Sequence, residues 1–197
     1  VFAAPSINKN GAVKKDSILI NGEKVDANTT AAFDSKKETY SAAGVSDETI
    51  DVIEKVNANP SQLASLIKGV DLSGYSLLTE FQDLSVYVNG ELKQKVKNVT
   101  LTWEVPNLVK TAKNVKVLHY STERNTWEIL TPKSVDFDNK TITQEFKDLS
   151  PVAVIYQAGD ANANKTGTKA NSTKTGDSTN VCLLYTSPSP RDYAASR

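Results

Sequence analysis

From residue 79 onward, apolar and polar positions alternate with a period of two. Val99, Leu101, Trp103 and Val105 fall between Thr100, Thr102 and Glu104, the pattern of a strand with one buried and one wet face. Phe81–Val88, Val115–Ser121, Trp127–Thr131, Val135–Phe137, Thr141–Phe146 and Val152–Tyr156 read as further strands, separated by the turn signals Asn89-Gly90, Arg124-Asn125 and Asp138-Asn139. Short strands at this spacing predict an antiparallel sandwich, with Trp103, Trp127, Phe137 and Phe146 as its large core side chains.

Upstream the period changes. Ile50, Ile53 and Val56 recur at helical spacing behind Ser46, a good N-cap, with Asp47 and Glu48 placed to suit the helix dipole. A second helix is expected over 60–68: Asn59 as cap, Pro60 at its first position, Gln62 reaching back, Leu63, Leu66 and Ile67 as its stripe, Gly69 as its stop. Ser17–Ile20 and Glu23–Val25 around Asn21-Gly22 predict a hairpin. Residues 26–45 show no clean period and read mostly as loop. The fold expected is therefore α+β: mainly an antiparallel Ig-like β-sandwich preceded by a small helical segment.

Residues 158–181 are rich in Ala, Asn, Lys, Thr and Gly and hold no aromatic, Leu or Ile. Such a composition cannot bury enough apolar surface to offset its ordering entropy, which predicts a disordered linker. Val1-Phe2-Ala3-Ala4-Pro5 looks like the end of a secretory signal peptide cleaved after Ala3. The run Cys182-Leu183-Leu184-Tyr185-Thr186-Ser187-Pro188-Ser189-Pro190-Arg191-Asp192 resembles translated sequencing-library adapter, which would make 182–197 an artefactual tail on an open reading frame assembled from shotgun (metagenomic) DNA. The expected organisation is thus 1–15, signal remnant and polar lead; 16–78, small N-terminal α+β region; 79–157, sandwich; 158–181, linker; 182–197, tail.

The 197 residues carry zero net charge, and their 23 basic residues are 20 Lys and 3 Arg. That is no footprint for nucleic acid or an anionic membrane, and no apolar run is long enough for a membrane span. The tail holds two Arg and one Asp, so the remainder carries 21 basic and 22 acidic residues and no Cys. One His and one Cys exclude a His/Cys metal cluster and any disulfide within the chain. A Cys-free exported chain fits a Gram-positive surface protein.

The informative motif lies in the linker. Ser172-Thr173-Lys174-Thr175-Gly176-Asp177 resembles the sorting signal read by sortases, Leu-Pro-x-Thr-Gly, in a variant ending Lys-Thr-Gly-Asp. The resemblance implies cleavage between Thr175 and Gly176, with the Thr175 carbonyl passing to a sortase Cys and then to a peptidoglycan amine. Lys174, Thr175, Gly176 and Asp177 are the recognition residues it implies. Ser172-Thr173 replaces the Leu-Pro pair, and Lys-Thr-Gly also occurs at 165–167. The apolar span and basic tail of such signals are missing, as they would be if adapter sequence interrupts the gene at Val181. Val117-Leu118-His119-Tyr120-Ser121, Trp127-Glu128 and Phe146-Lys147-Asp148-Leu149-Ser150-Pro151-Val152 resemble a sandwich module found near the C-termini of such surface proteins. That resemblance implies Ig-like packing and no activity.

Other chemistry stays open. His119-Tyr120-Ser121 is similar to the His-x-Ser turn at which some sandwich modules cut themselves, the His activating the hydroxyl for an acyl shift. His119, Ser121 and Asp136 supply triad residue types. Asp136 and Asp138, with Asn139, could ligate Ca²⁺ or simply close a hairpin. A carbohydrate ligand would need exposed rings, for which Tyr75, Tyr87 and Tyr120 are the candidates. The expectation is a non-enzymatic, secreted cell-surface module for adhesion, display or spacing, without catalytic residues, metal or cofactor. Its partners would be sortase and peptidoglycan, with a protein or carbohydrate ligand besides. The alternatives are an accessory domain of a secreted carbohydrate-active enzyme, or a self-cleaving sandwich.

Overall fold

The computed structural model describes residues 5–158. Strands β7 (Lys97–Glu104) and β11 (Thr141–Asp148) form the centre of one antiparallel sheet, ordered β10 (Ser134–Asp136), β11, β7, β1 (Leu19–Ile20), β2 (Glu23–Lys24). The second sheet runs β3 (Thr29–Asp34), β5 (Gln82–Val88), β12 (Pro151–Gln157), β8 (Lys113–Ser121), β9 (Thr126–Leu130). In it β4 (Tyr75–Leu77) also pairs with β12, and β6 (Glu91–Lys93) with β5. The fold is α+β and dominated by this antiparallel sandwich.

Alternation along each strand decides what lies between the layers. Leu84 of β5, Val99, Leu101 and Trp103 of β7, Val115 and Val117 of β8, Ile142 and Phe146 of β11, and Val152 and Val154 of β12 form one core between the two sheets. The intervening residues Leu118, Ala153 and Ile155 turn to the other face of the second sheet. There they meet Tyr40 of α1 (Lys37–Ala42), Ile50, Ile53 and Val56 of α2 (Asp47–Ala58), and Leu63 of α3 (Leu63–Leu66). The order of layers is sheet, sheet, helices. β12 is buried from Pro151 to Tyr156 because it lies in the middle layer.

The expected hairpin at 17–25 is present as β1 and β2, with Asn21 and Gly22 both at positive φ, 54° and 83°. Ser46 caps α2 by accepting from the Thr49 N–H. Three local expectations are corrected. Residues 26–45 are not mostly loop: β3 pairs along β5 from Thr29–Val88 to Asp34–Asp83, and α1 follows it. As an edge strand of small and mixed residues, β3 has little alternation of its own and is held by its neighbour. The second helix is not continuous over 60–68: Pro60–Gln62 is a 3-10 turn, and α3 spans one turn. Asn59 makes no side-chain cap there; its Oδ1 accepts from the Ser61 hydroxyl at 2.7 Å.

The polar lead is also built into the body. Gly11 N–H donates to the Glu104 carbonyl at 2.8 Å, Glu104 N–H to Ala12 at 2.9 Å, and Lys14 N–H to Thr102 at 2.8 Å, continuing along β7 the edge that β1 pairs. Asn10 Oδ1 takes the Trp103 indole N–H at 2.9 Å. Residues 5–157 form one compact unit, so the described parts of the lead, the 16–78 region and the 79–157 sandwich share sheets and cores. The linker and the tail lie outside the described residues, apart from Ala158.

Candidate functional site: a buried polar cluster around the single histidine

The chain's one histidine stands on β8, on the same face as Val115 and Val117. The ladder places His119 opposite Glu128 of β9 on one side and Val152 of β12 on the other. Arg124 lies in the tight β8–β9 turn, Asp148 ends β11 in the facing sheet, and Ser150 lies between β11 and β12. These elements converge at one end of the sandwich, where β11 of the first sheet hands the chain to β12 of the second.

His119 Nδ1 lies 3.1 Å from Glu128 Oε1, and Nε2 lies 2.8 Å from Ser150 Oγ. The Arg124 guanidinium donates twice to Glu128, at 2.7 and 2.9 Å, and once to Asp148 Oδ1, at 2.7 Å. Asp148 Oδ2 accepts from the Ser121 hydroxyl at 3.0 Å, and Ser121 Oγ accepts from the Arg124 N–H at 3.1 Å. His119, Ser121, Asp148 and Ser150 are buried, and Phe146 packs on the imidazole with ring centres 5.6 Å apart. Hydrogen bonds from His119 and Arg124 hold the Glu128 carboxyl well down, to about 2.

Ser150 Oγ also bonds the Tyr120 carbonyl, which can only accept, so the Ser150 proton points there. Ser150, His119 and Glu128 thus stand in the order of a Ser-His-acid triad, with the Ser150 hydroxyl donated to the Tyr120 carbonyl rather than to Nε2. Ser121 is not bonded to His119 at all; its hydroxyl goes to Asp148. Asp136 is on β10 of the other sheet and accepts from the Asn139 N–H and side-chain amide at 3.0 and 2.8 Å. The triad types His119, Ser121 and Asp136 are therefore not brought together as one hydrogen-bonded set.

His119, Glu128 and Asp148 each bring one ligand atom within 4.8 Å of the others. Arg124 bridges both carboxylates, so a cation there would have to displace a guanidinium that makes three short charge-assisted bonds. Asp136 and Asp138 close a hairpin: bonds from Asn139, backbone first, hold the Asp136 carboxyl below the ordinary range, and Asp138 faces Lys110 at 3.5 Å.

Tyr75, Tyr87 and Tyr120 are half-buried on three different strands. Tyr120 packs edge-on against Trp127 at 5.0 Å, and Trp127 in turn on Phe81 at 5.3 Å, which ties them to the helix-side core. Lys174, Thr175, Gly176 and Asp177 lie outside the described residues. Sequence reasoning singled out His119 but missed Ser150, Glu128 and Arg124. Glu128 follows from the register of the β8–β9 hairpin, whose ladder closes at Ser121–Thr126 around the four residues 122–125. No family model matches the chain, and no curated protein or solved structure matches it.

Proposed function

We propose that the chain is a non-enzymatic module of an exported Gram-positive surface protein. It serves adhesion, display or spacing, and a sortase attaches it to peptidoglycan through Lys174-Thr175-Gly176-Asp177. The observation that carries this reading is the closure of the polar cluster. The single imidazole is 0% exposed, and both its nitrogens are engaged by Glu128 and Ser150. A buried network satisfied in this way rigidifies a sandwich end and pins one sheet to the other. The low-complexity composition of 158–181 supports an extended reach between body and wall, and sortases act on extended substrate. No helix among the described residues is long and apolar enough to cross a membrane.

The test is transfer in a tube. The full chain is incubated with a purified sortase and a biotinylated oligoglycine amine, and the product is mapped by mass spectrometry. The expected product joins Thr175 to the amine and is lost in Thr175→Ala. Absence of transfer with several sortase classes, or equal labelling of Thr175→Ala, would overturn wall attachment.

A further inference from the structure

The outermost strands of the two sheets are β2, β10, β3 and β9. An unpaired edge is a template for another strand, and proteins blunt it by brevity, charge or proline. β2 and β10 have two and three residues, and β9 carries Glu128 at its centre. β3 has none of these guards. Thr29-Thr30-Ala31-Ala32-Phe33-Asp34 is six residues long and holds no Pro, and its one charge stands at its end.

The register fixes which backbone groups β3 leaves free. Thr29 faces Val88, so Asn28 faces Asn89, and the Asn89 N–H donates to the Asn28 carbonyl at 2.9 Å. In an antiparallel ladder that direction recurs at every second residue, so Thr30, Ala32 and Asp34 also turn their backbone groups to β5. Thr29, Ala31 and Phe33 point theirs away from it. The Thr29 N–H is taken by the Asp26 carbonyl at 2.9 Å. The N–H and C=O of Ala31 and Phe33, and the C=O of Thr29, have no backbone partner among the described residues. A cleft of about 460 Å³ separates this edge from the lead, lined by residues 10–13 on one side and 30–33 on the other.

We infer that β3 pairs with the β3 of a second copy of this chain, antiparallel about a two-fold axis at Ala31. The Ala31 N–H then donates to the Ala31 carbonyl of the other copy, and the Phe33 N–H to its Thr29 carbonyl, each twice by symmetry. Thr30 of one copy stands beside Ala32 of the other; both are exposed and small enough for close approach. Charge selects this occupant and its direction. Asp26 and Lys36 lie equally far from Ala31 on its two sides, both are exposed, and neither has an ion pair among the described residues. Antiparallel pairing brings the Lys36 end of each copy to the Asp26 end of the other, whereas parallel pairing sets like charges together. One strand pair buries less than a standard interface, so the dimer is weak, with a Kd on the order of 0.1–1 mM. This surface is independent of the wall-attachment reading.

The experiment follows the full ¹⁵N-labelled chain at low salt, from about 10 µM to about 1 mM, by sedimentation equilibrium and amide shifts. The expected result is a monomer–dimer equilibrium whose concentration-dependent shifts centre on Thr29–Phe33. Ala31→Pro removes an outward N–H and no bond to β5, and should weaken association about tenfold. Asp26→Lys and Lys36→Glu should each weaken it about threefold, and the double variant should restore it; this arm stands even where Ala31→Pro does not fold. A wild type that stays monomeric at about 1 mM would overturn the proposal. So would a dimer whose shifts lie away from β3, association unaltered in folded Ala31→Pro, or charge variants without effect or without rescue. A monomer whose Ala31 and Phe33 amides resist hydrogen exchange would also overturn it, since another segment of the same chain would then cover the edge.

Discussion

Trp103 shows how much one side chain ties together. It is fully buried between Phe33 and Phe146, with ring centres at 5.6 and 6.2 Å, and gives its indole N–H to Asn10 of the lead. Trp103→Ala is expected to cost about 3–5 kcal/mol, the range for a large aromatic removed from a core; urea unfolding measures it. Gly11 is a case of close approach: a Cβ there would lie 2.8 Å from Glu104 Cβ and 2.9 Å from its carbonyl oxygen. Gly11→Ala should therefore lower the melting temperature, although position 11 reads as featureless polar lead. Asp83 is the residue whose pH behaviour is most distinctive. Burial pushes its carboxyl from the ordinary 3.8 up to about 7, against the Ser85 hydrogen bond. The folded state then holds the proton more tightly than the unfolded one, so this group's contribution to stability falls as pH rises from about 4 to about 7. Asp83→Asn removes that fall. The mutant should gain on the wild type between pH 4 and pH 7 and keep the gain above; parallel pH profiles would refute it.

At the scale of elements, β7 and α2 were legible because each has one strong period. Val99, Leu101 and Trp103 are buried at every second position, and Ile50, Ile53 and Val56 at every third. β3 was not legible because Thr-Thr-Ala-Ala-Phe-Asp offers no contrast between faces; its register comes from pairing with β5. α1 has six residues and no side-chain cap, so it owes its place to Tyr40, whose hydroxyl donates to the Phe81 carbonyl at 3.0 Å. The β8–β9 turn supplies a prediction of its own. Arg124 links Glu128 beside it to Asp148 in the facing sheet, and Asp148 is 4% exposed. Arg124→Met leaves that carboxylate with Ser121 alone and should cost about 1–3 kcal/mol, toward the low end because Arg124 is itself well exposed. Glu128 sets the acid limit of the same turn. Its carboxyl lies at about 2, below its ordinary 4.5, so the stability it contributes is present above pH 4.5 and is lost as pH falls toward 2. In Arg124→Met the acid-unfolding midpoint should shift to higher pH.

Residues 5–157 form a single body, and at the scale of the molecule this was the least legible feature. The period of apolar positions separates helices from strands along the chain, but only pairing reveals that β1 extends the β7 sheet and that the helices cover β12. The candidate site shows the same limit. The lone histidine is conspicuous in the sequence, yet its partners come from positions 128 and 150, chosen by strand register. Neighbourhood in sequence pointed instead to Ser121, which is bonded to Asp148. If the cluster is a closed structural clasp, the chain must be chemically inert at the His119-Tyr120-Ser121 turn. Intact-mass measurement of the purified full chain over days at neutral pH and 37 °C tests this most directly. One undiminished species of 21.4 kDa is expected, in the wild type and in His119→Ala alike. Two fragments meeting at Tyr120–Ser121, formed by the wild type and not by His119→Ala, would contradict it.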